Sequence, residues 1–278
     1  MAILRDDLKA LIVTAARAAA RDQVLPRFRQ LAPHEISTKS GPADLVTLAD
    51  TMAEEQLKAT IGAAWPEALV VGEESVAADA GLRAAMATAQ WAVVIDPVDG
   101  TWNYAKGLAL FGMIIAVLHY GMPVYGLLYD PVLDDWIEAG TDLPTRMAMA
   151  DGTTRALTAS PETRPGRING YVPLGLFPKA MKAQIVTVFP DFARINSLRC
   201  SCHEYRMIAQ GHSEFVLSGP VPHPWDHAAG VLAVQQAGGV ARMLDGRDYT
   251  AKVTKGVVLT AGSEAVWVDL AQKFAFLA

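Results

Sequence analysis

The stretch that most constrains this chain is Val93-Val94-Ile95-Asp96-Pro97-Val98-Asp99-Gly100-Thr101-Trp102-Asn103-Tyr104. Three consecutive β-branched residues suit the pleat of a strand, and an unbroken apolar run is tolerated where both faces of a sheet are covered. Pro97 fixes its own φ and donates no hydrogen bond, and Asp99-Gly100 is turn chemistry, so the strand is expected to end at Asp96. Asp96 and Asp99 then stand on one tight loop, near enough to share a cation. Gly100 lets a ligand approach the main chain, and the amides of Gly100 and Thr101 can open a helical turn that accepts phosphate. Asp-Pro and Asp-Gly also occur in ordinary surface turns, so this stretch alone leaves both readings open.

Other segments narrow the choice. Gly72-Glu73-Glu74-Ser75 follows the apolar run Leu69-Val70-Val71, and Trp225-Asp226-His227-Ala228-Ala229-Gly230 opens a helix far downstream. Asp44-Leu45-Val46-Thr47-Leu48-Ala49-Asp50 lies upstream. These four segments, in this order and at this spacing, resemble the inositol monophosphatase family of metal-dependent, lithium-sensitive phosphatases over about residues 39 to 239.

The resemblance implies a mixed α+β and α/β fold, a five-layer αβαβα sandwich with its active site at the seam between two halves. It implies that Asp96 bridges two metals, that Glu73 and the Val98 carbonyl complete one site, and that Asp99 and Asp226 complete the other. Thr101, paired with the acid that Asp50 matches, would orient the attacking water, and Lys39 matches a lysine on a mobile loop near the metals. Glu73 counts among the catalytic residues with Thr101 and Asp50, whereas Glu74 is expected to point away from the metals. The cofactor implied is Mg²⁺, as two or three ions, with Mn²⁺ as a substitute and Li⁺ as an inhibitor. The reaction implied is attack of metal-activated water on a phosphate monoester, in which positioning and charge neutralisation carry most of the rate. Taken singly, Asp50 is a first-turn helix acid, Thr101 a helix cap and Lys39 a solvated loop lysine. Clustered carboxylates repel one another without a cation, and Mg²⁺ prefers such oxygen donors.

Composition bounds the alternatives. The 278 residues allow one large domain or two modest ones, and 51% apolar residues provide ample core. We expect an N-terminal α+β half at 1–150, with two helices on a largely antiparallel sheet and most metal ligands. A C-terminal α/β half at 151–278 is expected to carry the substrate wall and the last ligand. The net charge of −5 argues against a nucleic-acid polymer as partner. Cys200-Ser201-Cys202 is too short a spacing for an ordinary disulfide and too few cysteines for a zinc site, so a reducing, cytoplasmic setting is expected. Asp6 and Asp7 interrupt any signal-peptide pattern. Residues 107–129 carry no Lys, Arg, Asp or Glu, long enough to raise a membrane span. Gly121-Met122-Pro123 breaks that run into two strand-length pieces, so a buried hairpin is expected and no membrane contact.

Periodicity predicts helices at 4–28 and 49–61, separated by a polar loop at 30–43. The alanine-rich first helix predicts close packing, with the sheet or with a second subunit. Strands are expected at 111–119, 123–129 and 134–139, followed by a hairpin across Asp151-Gly152. Beyond residue 155, strands near 167–172, 194–196, 214–218, 240–243 and 257–261 alternate with helices near 174–187, 202–210, 225–237 and 264–276. His223 and His227 flank Asp226 without the metalloprotease pattern and are expected to be structural, and neither a nucleophile elbow nor a P-loop is present.

The substrate wall of the family lies before Trp-Asp. Inositol-selective members carry a Gly-Thr-Ala-like turn there, and this chain has Arg199-Cys200-Ser201. Where such members place a glutamate that holds inositol hydroxyls, this chain has Gly219. Losing an acceptor weakens selectivity for a polyol. The substrate is therefore a small phosphorylated alcohol, with inositol 1-phosphate, fructose 1,6-bisphosphate and histidinol phosphate in contention. The 3′-phosphate of an adenosine bisphosphate is an alternative, and a catalytically silent metal- or phosphate-binding regulatory protein is one of a different class. Arg199, His203 and Arg206 are candidates for an extra anionic group. The resemblance also implies a homodimer, with which an exposed apolar hairpin would be compatible.

Overall fold

The structure, a computed structural model, describes residues 2–278. Helix α1 (Asp6–Ala19) runs through a π turn at Ala20–Val24 into a 3-10 turn at Leu25–Arg27, giving the expected first helix its full length. The segment expected as polar loop contains strand β1 (Ile36–Gly41), which pairs antiparallel with β2 (Asp44–Thr47). Its β-branched residues, Ile36, Thr38, Val46 and Thr47, favour the pleat despite the polar composition. Then come α2 (Leu48–Ala64), β3 (Leu69–Gly72) and two helices absent from the sequence reading, α3 (Glu73–Ala78) and α4 (Gly81–Thr88). Strand β4 (Trp91–Asp99) leads into α5 (Thr101–Ala105). Strands β5 (Gly112–His119), β6 (Met122–Asp130), β7 (Asp135–Gly140), β8 (Leu143–Met149) and β9 (Thr154–Ala156) follow. Strands β3 to β9 form one seven-stranded sheet in chain order, antiparallel except for the parallel pair β3–β4.

The rest of the chain alternates as expected. It comprises β10 (Asn169–Tyr171), α6 (Lys179–Val186), β11 (Arg194–Asn196), α7 (Ser201–Ala209) and β12 (Phe215–Ser218). The last elements are α8 (Pro224–Gln236), β13 (Val240–Met243), β14 (Val258–Ala261) and α9 (Glu264–Lys273). Its five strands order as β11-β10-β12-β14-β13.

Side-chain alternation assembles the layers. On β4, Val93 and Ile95 pack with Ile12, Ala16, Leu57 and Ile61 of α1 and α2. Ala92 and Val94 face the other way, toward Tyr205 of α7 and Trp225, Ala228 and Ala229 of α8. The second sheet presents Val216 and Val258 to that middle helical layer. Its opposite face carries Phe215, Leu217 and Leu259 under Ile185 of α6 and Trp267 and Leu270 of α9. The outcome is the αβαβα sandwich. Helix α8 is buried almost all round because it lies between two sheets.

Two expectations change. Strand β4 does not end at Asp96: Asp96 pairs with Ile114 and Asp99 with Gly112, so three steps on β4 match two on β5. The bulge absorbs Pro97, which has no N–H to give the ladder. The apolar hairpin of β5 and β6 is not an exposed dimer surface, because it occupies the centre of the sheet and Ile114 to Leu118, Leu127 and Leu128 are fully buried. That position also explains its lack of charge, and among the described residues no helix is long and apolar enough to cross a membrane. The alanines of α1 (Ala15, Ala16 and Ala19) lie in the core shared with α2.

Gly126 on β6 lets α8 approach closely, since a Cβ there would lie 2.7 Å from the Ala229 Cα. Gly126→Val is expected to destabilise the fold by about 1–3 kcal/mol through overpacking. Urea unfolding should show a lower midpoint at unchanged slope.

Candidate metal centre and active site

Three carboxylates converge at the seam between the first sheet and α8. The parallel pairing of β3 with β4 sets Gly72 beside Ile95, so Glu73, the next residue, arrives next to Asp96. Asp226 comes from the first turn of α8, where the helix dipole favours an acid. One carboxylate oxygen from each of Glu73, Asp96 and Asp226 lies within 4.8 Å of the others. Burial, and then the negative charge of neighbouring Glu73 and Asp99, hold Asp96 and Asp226 well above the usual carboxylate range. Lys39 on β1 reaches this group: its Nζ lies 2.7 Å from Glu73 Oε1 and 2.6 Å from Glu74 Oε1. Among the described residues that is the one ion pair made by the three acids. An all-oxygen donor set, without thiol or imidazole, suits Mg²⁺ or Mn²⁺ and disfavours zinc. Excess negative charge at its centre makes a divalent cation a chemically fitting occupant.

Glu73 is fixed from behind by a residue that the sequence reading missed. Glu54 of α2 is buried, its Oε2 accepting from the Glu74 amide at 2.8 Å and its Oε1 from the Ser75 amide at 3.0 Å and the Ser75 hydroxyl. These bonds satisfy free amides at the start of α3. A signal was present: Asp50, Ala53, Glu54, Leu57 and Ile61 share one buried stripe of α2, and acids on an apolar stripe require partners.

Thr101 and Asp50 meet directly. Gly100, at φ +88°, turns β4 straight into α5 in a conformation that disfavours side chains. Thr101 Oγ1 then lies 3.0 Å from Asp50 Oδ1 and 2.9 Å from the Val98 carbonyl, and its single proton can serve one of them. Asp50 Oδ2 accepts from the Thr47 amide at 2.8 Å and hydroxyl at 2.6 Å, closing a capping box on α2. Asp50 is thus both a first-turn acid and the partner of Thr101. Burial pushes its carboxyl up to about 6.

Asp99 is oriented differently from the other acids. Its Oδ2 accepts from the Cys202 amide at 2.5 Å and the Cys200 thiol at 3.1 Å, so this oxygen turns to the start of α7. Burial pushes Asp99 up to about 6, against the pull of those bonds. Both thiols are free and buried, and burial pushes them up as well. Along the proposed substrate wall, Ser201 opens α7 and Arg199 is exposed. Gly219 is buried, and a Cβ there would lie 3.1 Å from the Gly256 carbonyl. Arg206 is buried against Asp135 at 2.5 Å, and His203 Nε2 sits 3.0 Å from the Phe111 carbonyl. His223 stacks on Trp225 with its Nδ1 3.0 Å from Arg83 Nη1. His227 is buried with its Nδ1 3.0 Å from the Tyr205 hydroxyl, burial pushing it down to about 3.

Comparison with known proteins follows the same lines. The family model of the inositol monophosphatase family matches residues 5–274. The chain is 28% identical over 225 residues to "Bifunctional phosphatase IMPL2, chloroplastic" of Arabidopsis thaliana, covering 78% of this chain and 59% of that protein. It thus spans less than two thirds of that relative's length. It is also 28% identical over 241 residues to a "Fructose-1,6-bisphosphatase/inositol-1-monophosphatase" of Aquifex aeolicus, covering 84% of each. A solved IMPase/NADP phosphatase complexed with Mg²⁺ and phosphate superposes with a TM-score of 0.78 at 17% identity, covering 96% of this chain and 94% of that one.

The turn before α7 hangs on Glu204, whose Oε1 accepts from the Leu198 amide at 2.7 Å. Burial pushes this carboxyl from 4.5 up to about 8. Between those values the folded chain keeps a proton that the unfolded chain has released. The stability Glu204 contributes is therefore complete below about 4.5 and lost as pH rises through about 8. Glu204→Gln removes that loss, so melting temperatures measured between pH 5 and pH 8 in EDTA should fall less steeply in the variant than in the parent. Equal slopes would show that Glu204 ionises normally.

Proposed function

The chain belongs to the inositol monophosphatase family, and from that premise we propose that it hydrolyses the phosphate monoester of a small alcohol with Mg²⁺. One observation carries the reading: Glu73, Asp96 and Asp226 converge beside a Thr101–Asp50 pair. Glu73, Asp96 and Asp226 would hold the cation, with the Val98 carbonyl and Asp99 completing a two- or three-ion set. When bound, divalent cations lower the pKa of water and neutralise charge on the phosphate and the leaving oxygen. The Mg²⁺ and phosphate named for the solved relative support the choice of ion, and Mn²⁺ suits the same donors.

Thr101 and Asp50 supply the proton handling. With Thr101 Oγ1 donating to Asp50 Oδ1, the lone pairs of the hydroxyl are left to accept from a water and aim it at phosphorus. Asp50, held near 6, is a base matched to neutral pH. The Gly100 and Thr101 amides at the start of α5 would donate to the phosphate on this reading. Residues 1–150 supply Glu73, Asp96 and Asp99, and residues 151–278 supply Asp226, so the proposed site needs both halves.

For the alcohol, Gly219 offers no side-chain acceptor for inositol hydroxyls at the matching position. Inositol 1-phosphate, fructose 1,6-bisphosphate, histidinol phosphate and 3′-phosphoadenosine 5′-phosphate remain the panel, and the Aquifex relative is named for two of these activities. A homodimer and inhibition by Li⁺ belong to the same reading and rest on the family resemblance, and a cytoplasmic setting rests on the two free cysteines.

The test is phosphate release across that panel with Mg²⁺ and with EDTA. Release is expected only with Mg²⁺, and Asp96→Asn should lower it by about 100-fold or more with an unchanged circular-dichroism spectrum. Undiminished turnover in EDTA or in the variant would overturn the proposal. Mg²⁺ binding without turnover of any substrate would leave a silent binder.

A further inference from the structure

Arg199, His203 and Arg206, the candidates for an extra anionic group before the Trp-Asp segment, are separated by the structure. Arg206 is committed to Asp135 and the Leu128 carbonyl inside the seam. His203 is partly buried at the Phe111 carbonyl. Arg199 alone of the three stays exposed, and among the described residues no carboxylate lies within 4.0 Å of its guanidinium. Its backbone has φ +54°, the left-handed region where glycine is unstrained and a long side chain is not. A strained backbone carrying an unpaired, exposed cation calls for a reason beyond packing.

The side chain is nevertheless held in place. Its guanidinium carbon lies 4.1 Å from the Trp102 ring centroid, and Trp102 directly follows Thr101. Nη2 lies 3.4 Å from the Ala43 carbonyl at the tip of the β1–β2 hairpin. Below it, the Leu198 carbonyl accepts from Asn103 at 2.8 Å and the Leu198 amide is tied to Glu204. The Arg199 carbonyl lies 3.2 Å from the direction in which a Cβ of Gly100 would point. Arg199 therefore stands beside the proposed site, against Trp102, the residue that follows the proposed water-orienting threonine. With the guanidinium over the Trp102 ring and one N–H at the Ala43 carbonyl, its other N–H groups have no protein acceptor among the described residues and can bind phosphate or carboxylate in two parallel bonds.

We propose that Arg199, held over the Trp102 ring, recognises a second oxyanion, a phosphate or a carboxylate, on the alcohol portion of the substrate. This rests on the phosphatase reading and narrows its substrate class to phosphate monoesters of anionic alcohols. Arg199 sets specificity and takes no part in the chemical step.

The experiment compares matched pairs with Mg²⁺: fructose 1-phosphate against fructose 1,6-bisphosphate, and glycerol 1-phosphate against 3-phosphoglycerate. The readout is the ratio of kcat/KM between the member with the second anion and the member without it. The parent protein is expected to favour the doubly anionic member of at least one pair by ten-fold or more, and the pair that responds distinguishes phosphate from carboxylate. Arg199→Gly should lower that ratio at least ten-fold, through KM and not kcat. Glycine fits the left-handed backbone, so its melting temperature shows whether the fold survives. Arg199→Lys, which keeps the charge and loses the fork, should retain part of the preference, a rescue that a merely structural role would not give. No preference in the parent, or the same preference in Arg199→Gly, would overturn the inference and leave the phosphatase reading standing. No phosphate release from any of the four would overturn the inference, and release from histidinol phosphate or inositol 1-phosphate in the same assay would leave the phosphatase reading standing.

Discussion

Mutual repulsion among carboxylates crowded into a partly dry seam is the constraint from which the rest of the site follows. At 4.8 Å, two ionised acids repel by about 3 kcal/mol at the effective dielectric of a protein interior. A loop would relieve that strain by moving apart. Here each acid is anchored to an element that cannot move alone. Asp96 sits in a bulge of a central strand, Asp226 in the first turn of a helix buried between two sheets, and Glu73 at a helix start tied to Glu54. Without a cation, burial and mutual repulsion favour the protonated forms of Asp96 and Asp226, and Lys39 is drawn onto Glu73. Cation binding would release those protons, so metal affinity and fold are coupled through the same residues.

The five layers serve that constraint. A parallel pair is needed to bring Glu73 beside Asp96, and β3–β4 is the one parallel pair in an otherwise antiparallel sheet. Helix α8 has to deliver Asp226 to the end of that sheet while packing on both, which its small residues Ala228 and Ala229 permit against Gly126. The second sheet supplies the other wall against which α8 is held. The acid side of the site is therefore determined by main-chain hydrogen bonding and core packing together.

Much of this was legible because it is local. The unbroken apolar run at Val93 to Ile95 means two covered faces, and α1 and α8 cover them. The turn chemistry at Asp99-Gly100 fixes the start of α5. What was not legible depends on partners far away in the chain. Strand β1 is polar and reveals itself only by pairing with β2. The Asp99 carboxylate faces an amide 103 positions later, which no local pattern encodes. The bulge in β4 likewise depends on its pairing with β5, so Pro97 alone was mistaken for an end. Glu54 lay in view as an acid on an apolar stripe, and only the position of its partner on α3 was hidden.

The two sides of the site are built to different standards. Each acid is carried by a buried strand or by the start of a helix, so altering its surroundings disturbs the fold as well as the chemistry. On the proposed substrate side, Arg199 is held only by its contact with Trp102 and one long carbonyl bond. On the proposed reading, substitution of the exposed Arg199 side chain would change which alcohol is accepted at small cost to stability, because exposed contacts of this kind contribute little to folding. A family can in this way keep one reaction while exchanging the alcohol it acts upon. The left-handed backbone of Arg199 is the local exception, a position where glycine would be easier and a cation stands instead. That conflict between local preference and observed residue is expected at functional positions, where recognition outweighs conformational ease.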